Sequence, residues 1–250
     1  MKIYAVGLGP GDPAGLTLRA RQACGESDVL IGYQVYIDLI RKEFPDKPCL
    51  STPMRKEPER CRMAVEEALK GRTVALVCSG DAGVYGMASL LYEVAQEYPP
   101  VEIEVVPGVT AALSGAALLG APLAHDFAVV SLSDLLTPWE QIERRLEAAA
   151  LADFALCLYN PASRHRPDNL RMACQILLRH KAPETACGMV RNVGREGQSA
   201  RLLTLEELAG AQADMFTTVF VGSSATRCLG GKLVTPRGYR TGAPGGERSR

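Results

Sequence analysis

Ile3-Tyr4-Ala5-Val6-Gly7-Leu8-Gly9-Pro10-Gly11-Asp12-Pro13 lies at the head of the chain, and its reading decides the fold. The run Ile3–Leu8 is short, apolar and stopped by a glycine–proline cluster, which predicts a strand followed by a tight turn. Glycines in that turn permit positive φ and let a ligand approach the backbone closely. The dinucleotide fingerprint is excluded, because proline follows the second glycine and no third glycine stands where a helix would open. Taken alone, the segment is only a tight strand-to-helix connection.

The same alternation continues outward. Val29–Ile31, Thr73–Cys78 and Glu102–Val106 read as further strands, with helical patterns at Glu57–Lys70 and Val84–Tyr98. Pro58 shifts the start of the first of these helices. Strands alternating with helices predict an α/β fold with a mostly parallel sheet covered by helices. After Gly120-Ala121-Pro122 the pattern resumes with strands at Phe127–Ser131, Phe154–Tyr159, Ala186–Arg191 and Thr217–Val221. Helices are expected at Pro138–Ala150, Pro167–Arg179 and Leu205–Ala211, the first with Thr137 as N-cap and Pro138 at its first position. Two α/β domains of similar size follow, over residues 1–119 and 120–240, with 241–250 as a mobile tail that has nothing to bury.

Composition narrows the classes of function. The 250 residues are 47% hydrophobic, enough for a substantial core. Lys plus Arg and Asp plus Glu balance at 28 each, so no overall positive field gathers nucleic acid or an anionic membrane. The eight cysteines show no C-x-x-C spacing and read as reduced core thiols rather than a metal site. The start lacks the apolar region and cleavage site of a secretory signal, which predicts a cytoplasmic protein. Pro107, Pro122 and three glycines break the uncharged stretch Val105–Ala124, so no membrane span is expected.

Two more strand ends repeat the opening pattern. Ser79-Gly80-Asp81-Ala82-Gly83-Val84-Tyr85-Gly86-Met87 follows Thr73–Cys78, and Val106-Pro107-Gly108-Val109-Thr110-Ala111-Ala112 follows Glu102–Val106. Ligands of open α/β sheets collect at such ends. No G-x-x-x-x-G-K-[ST] is present, and Asp81 is an acceptor suited to ribose hydroxyls or an amino group rather than to phosphate. Thr110 and the amides that follow it begin a small-residue helix, where ligand acceptors can be met. A phosphate-free nucleoside such as S-adenosylmethionine suits this set, although any doubly wound domain also needs glycines in its turns.

With these three loops, the chain resembles the tetrapyrrole (corrin/porphyrin) methyltransferase family over about residues 1–240. Within it, four further segments resemble the branch of cobalamin biosynthesis that methylates C17 of precorrin-3B or its cobalt-bearing counterpart. These are Gly32-Tyr33 with Tyr36-Ile37-Asp38, Ser131 to Trp139, Leu158-Tyr159-Asn160-Pro161, and Val190 to Gly197. The resemblance implies the tetrapyrrole methyltransferase fold, with S-adenosylmethionine in an interdomain cleft and S-adenosylhomocysteine as product. It also implies a small-molecule tetrapyrrole substrate, a homodimer, and no nucleic-acid or membrane partner. By the matched positions, Pro10, Gly80, Asp81, Val84, Thr110 and Ala111 form the first-domain wall of the cofactor site, and Leu132, Tyr159, Asn160 and Asn192 face them.

Methyl transfer from a sulfonium to an enamine-like carbon needs in-line positioning more than a protein nucleophile. Acid–base help belongs to ring contraction, where a proton moves. Asp81 is the candidate catalytic residue there, with cofactor binding the favoured role; Asp38, Asp134 and His125 are weaker candidates. A tetrapyrrole's carboxylates require local cations, and Arg55, Lys56, Arg164, Arg166, Arg191 and Arg195 are the candidates for substrate binding. No metal held by protein side chains is expected. The alternatives are a relative acting at another macrocycle carbon, on RNA or on protein, and a non-catalytic nucleoside-binding subunit.

Overall fold

The computed structural model describes residues 1–239. The expected tail at 241–250 lies outside the described residues. The described residues form two compact units, Met1–Gly115 with Asn192–Gln198, and Ala116–Arg191 with residues 199–239.

In the first unit, β1 (Lys2–Gly7), β2 (Val29–Tyr33), β3 (Cys49–Thr52), β4 (Thr73–Cys78) and β5 (Glu102–Val106) alternate with helices. Those helices are α1 (Leu18–Glu26), α2 (Gln34–Ile40), α3 (Glu57–Leu69), α4 (Ala88–Ala95) and α5 (Ala111–Leu119), the last of which runs across the division between the units. The five-stranded sheet has the order β3-β2-β4-β1-β5 and is parallel throughout. Side chains alternate between its faces. Ile3 and Ala5 of β1 pack with Val74 and Leu76 of β4 under α3 and α4. Tyr4, Val6 and Leu8 join Ala75 and Val77 under α1 and α2. The chain therefore leaves neighbouring β1 and β4 toward opposite faces of the sheet, which opens a crevice at their carboxyl ends.

The second unit contains β6 (Gly120–Ala121), β7 (Phe127–Ser131), α6 (Trp139–Leu151), β8 (Ala155–Tyr159), α7 (Asn169–Leu177), β9 (Ala186–Arg191), β10 (Ser199–Thr204), α8 (Leu205–Ala209) and β11 (Thr217–Val221). A short hairpin, β12 (Arg227–Leu229) and β13 (Lys232–Val234), turns on Gly230-Gly231, both at positive φ as a two-residue hairpin turn requires. The main sheet has the order β10-β9-β11-β8-β7. Only β7 and β8 pair in parallel; β8–β11, β11–β9 and β9–β10 are antiparallel. The expectation of a mostly parallel sheet thus holds for the first unit and is corrected for the second, since apolar periodicity carries no strand direction. Ile142, Leu146, Leu170, Leu177, Leu205 and Leu208 cover one face of this sheet with the helices. On the other face, Leu119 packs where Gly188 has no side chain.

Three local expectations change. Pro138 itself, at φ −55° and ψ 143°, is the N-cap of α6 without a side-chain cap bond, in place of Thr137. The helix expected over Val84–Tyr98 narrows to α4, because Tyr85 at φ 54° and Gly86 in a tight bend hold the preceding segment as a turn. Short β3 and the exposed edge strand β10 were not signalled by their mixed polar composition.

All eight cysteines are free and six are buried. Burial pushes the Cys24, Cys61, Cys174 and Cys187 thiols up to about 12, and Cys157 is raised by the same cause. Only Cys228 is exposed, so iodoacetamide at neutral pH is expected to label it first, with the six buried thiols reacting only after denaturation. Mass mapping of the native protein that finds Cys24 or Cys157 labelled as fast as Cys228 would contradict this packing.

Candidate functional site

The turns after β1, β4 and β5 meet backbone to backbone. Gly9 and Gly80 pair in an isolated antiparallel bridge, with N–H to O distances of 3.0 and 2.8 Å. Leu8 N–H donates to Cys78 O at 2.8 Å. A Cβ on Gly108 would lie 2.2 Å from Gly80 O and 2.5 Å from Gly7 O, and one on Gly7 would lie 2.7 Å from Gly108 N. Only residues without a side chain fit at these positions.

Asp81 fastens the arrangement. Its Oδ1 accepts from Gly83 N–H at 2.8 Å and Val84 N–H at 3.1 Å, and its Oδ2 accepts from Gly108 N–H at 2.9 Å. The carboxylate expected to meet a cofactor or a proton is thus engaged by three backbone amides of two turns. Gly80 faces Thr110 and Ala111, since a Cβ there would lie 3.7 Å from Thr110 Cα and 3.8 Å from Ala111 N. Pro10 packs against Gly15, whose Cβ would meet the proline ring at 2.8 Å. Val84 stands exposed beside Tyr85. The first-unit set Pro10, Gly80, Asp81, Val84, Thr110 and Ala111 therefore lies on three adjoining turns.

Asn192 belongs with this unit. The excursion Asn192–Gln198 packs on the first turn: a Cβ on Gly194 would lie 2.9 Å from Asp12 N and 3.1 Å from Pro10 Cβ. Asn192 adopts φ 52° and donates its side-chain amide to Glu196 O at 3.3 Å. Arg195 donates to Pro10 O at 3.2 Å and to Ser79 Oγ at 2.9 Å, and burial lowers its guanidinium from the usual value.

Leu132, Tyr159 and Asn160 form a separate group in the second unit, at the carboxyl ends of its parallel pair β7 and β8. Leu132 N–H donates to Tyr159 O at 2.8 Å, and Asn160, at φ 53°, donates to Ser131 Oγ at 2.9 Å. Leu132 O accepts from the buried Asn169 side chain at 2.7 Å. Arg166 bonds Ser133 Oγ and Ser163 Oγ and lies 3.5 Å from Asp134. Asparagine tolerates the left-handed region better than most residues, and both Asn160 and Asn192 use it directly after a strand.

Of the arginines expected to bind carboxylates, Arg55 and Arg195 belong to the first unit and Arg164, Arg166 and Arg191 to the second. Arg191 pairs with Asp214 at 2.7 Å, while Arg166 and Arg195 are engaged as described. Arg55, at φ 64°, and Arg164 are exposed, and Lys56 pairs with Glu59 at 3.0 Å. Asp38 accepts from Gln34 at 2.7 Å, and His125 Nδ1 accepts from the Asp126 amide at 2.9 Å; both are local bonds. Arg60, Ser79 and Asn169, which organise these turns, escaped the reading because a helical arginine, a serine at a strand end and an asparagine in a helix's first turn are ordinary there. Among the described residues no cluster of His, Cys, Asp or Glu could hold a metal ion.

Against this geometry stand the comparisons. The model of the family described as Tetrapyrrole (Corrin/Porphyrin) Methylases matches residues 2–209. The chain is 44% identical over 238 residues to a probable cobalt-factor III C(17)-methyltransferase of Salmonella typhimurium, covering 95% of this chain and 99% of that one. It is 45% identical over 244 residues to the cobalt-factor III methyltransferase of Priestia megaterium, covering 96% of this chain but 45% of that one, so it spans about half that relative's length. The crystal structure of the methyltransferase CobJ is similar with a TM-score of 0.86 and 38% identity, over 94% of this chain and 99% of that one.

The close approach at Gly108 makes a sharp stability prediction. Gly108→Ala is expected to destabilise the protein by about 1–3 kcal/mol through overpacking. Gly25→Ala, in α1 with 3.8 Å to its nearest neighbour, is expected to leave stability unchanged or raise it by up to about 1 kcal/mol. Urea midpoints measure both, and equal midpoints would contradict the packing of the turns.

Proposed function

The chain belongs to the tetrapyrrole (corrin/porphyrin) methylase family, and from that premise we propose that it methylates C17 of cobalt-factor III or precorrin-3B, with ring contraction, in cobalamin biosynthesis. The observation that carries this reading is the near end-to-end similarity to the Salmonella typhimurium C(17)-methyltransferase. Methylases of this family use S-adenosylmethionine.

The turns fit that donor chemically. Pro10, Gly80, Asp81, Val84, Thr110 and Ala111 offer backbone groups, one hydroxyl, small apolar surfaces and one carboxylate, with no cationic side chain among them. Such a wall suits a phosphate-free nucleoside carrying a sulfonium. When bound, S-adenosylmethionine supplies an electrophilic methyl group. In this reading the turns after β1, β4 and β5 hold the nucleoside, and Asn192 adds to the same wall.

The chain's contribution to methyl transfer is then orientation, since a sulfonium and an electron-rich ring carbon need no protein nucleophile. Asp81 acts by clamping two turns through three backbone amides. Proton movement during ring contraction falls to another group. The exposed Arg55 and Arg164 are the arginines of the expected set that can receive substrate carboxylates without breaking a bond described above. A homodimer in the cytoplasm completes the reading; no helix among the described residues is long and apolar enough to cross a membrane.

The test is product analysis. Purified protein with methyl-labelled S-adenosylmethionine and, separately, cobalt-factor III and metal-free precorrin-3B is expected to give a ring-contracted product with label on C17, read by mass spectrometry and NMR. Label at another ring carbon, or in RNA or protein, would reject the proposal.

A further inference from the structure

Four side chains of the first unit form a row of two adjacent rings with a guanidinium at each end. The Arg60 guanidinium lies 5.9 Å from the Tyr33 ring centroid, Tyr33 meets Tyr36 edge to face at 5.3 Å, and the Arg195 guanidinium lies 6.0 Å from Tyr36. Both cation–ring separations sit at the outer limit of useful attraction, so the stack supplies shape more than strength. Hydrogen bonds at its ends supply the hold. Arg60, only 3% exposed, donates to Thr52 Oγ1 at 2.9 Å and Pro53 O at 3.1 Å and touches Met87 Sδ at 3.7 Å. No described carboxylate lies within ion-pair distance of it. Arg195 closes the other end on Pro10 O and Ser79 Oγ. The stack thus joins the carboxyl ends of β1, β2, β3 and β4.

We propose that Arg195 is a positioning residue for the methyl-donor turns, its forked guanidinium fixing the Pro10 turn against the Ser79 turn, and is not a ligand of the substrate's carboxylates. This rests on the reading of those turns as the donor's wall. Two features carry it. The Nε–H and an Nη2–H of Arg195 are committed to two different turns, 116 residues or more from it in sequence. Gly11 yields the space, since a Cβ there would lie 2.9 Å from Arg195 Nε and 3.0 Å from its Cγ. A lysine keeps the charge but lacks the planar fork that reaches both acceptors.

The two roles predict opposite losses. Calorimetry with S-adenosylhomocysteine and absorbance titration with cobalt-factor III are run on the whole chain as wild type, Arg195→Lys and Ser79→Ala. Losing a charge-assisted bond to a turn is expected to weaken S-adenosylhomocysteine about tenfold in Arg195→Lys and about threefold in Ser79→Ala, with tetrapyrrole affinity held within about twofold. Weakened tetrapyrrole binding with S-adenosylhomocysteine intact would make Arg195 a carboxylate ligand, and two unchanged affinities would make the stack mere packing; either overturns the proposal. Should Arg195→Lys fail to fold, Ser79→Ala decides alone, and unchanged S-adenosylhomocysteine affinity overturns the proposal. A wild-type protein that binds no S-adenosylhomocysteine refutes the underlying reading of the turns, a result distinct from any variant effect.

Discussion

Three polypeptide turns in this protein approach more closely than any side chain allows. Gly7 and Gly108 have backbone atoms of the neighbouring turns, Gly80 O among them, where a Cβ would stand, and the Gly9–Gly80 bridge ties two of the turns directly. This contact depends on the order of strands in the first sheet: β1 lies between β4 and β5, so three turns separated by dozens of residues in sequence emerge side by side. Asp81 turns proximity into a fixed shape, because one carboxylate accepts amides from two of the turns. Here a residue type associated with catalysis acts as an organiser of backbone.

The second unit reaches a comparable result by other means. Its parallel pair β7 and β8 ends at Ser131 and Tyr159, which are register partners, and the residues that follow bond across the pair. Buried Asn169 holds Leu132 O from the first turn of α7. Asn160 and Asn192 each turn sharply in the left-handed region directly after a strand. Strain at matching places on two different strands is spent on aiming the chain, which loop flexibility would not achieve.

Much of this was legible in the sequence. Short runs rich in apolar and β-branched residues mark β4, β5, β7, β9 and β11, which are found where periodicity puts them. The three turns stand out by their glycines, and their lack of a phosphate-loop lysine points to the right class of ligand. What stayed hidden are relations that need three dimensions. Strand direction in the second sheet leaves no periodic trace. The commitment of Arg195 to Pro10 and Ser79, the burial of Arg60 and the grouping of Asn192 with the first unit are long-range facts with no local signature. Tyr85 reads as a helical residue until its positive φ is seen.

Hydrogen exchange, resolved to short peptides with and without S-adenosylhomocysteine, tests the central claim most directly. If the joined turns form the wall of the methyl-donor site, the ligand slows exchange in peptides covering 7–12, 79–86 and 107–112 together, while the strand amides of β1 and β4 stay as protected as before. Protection confined to peptides outside all three turns, or no change at saturating ligand, would contradict the account.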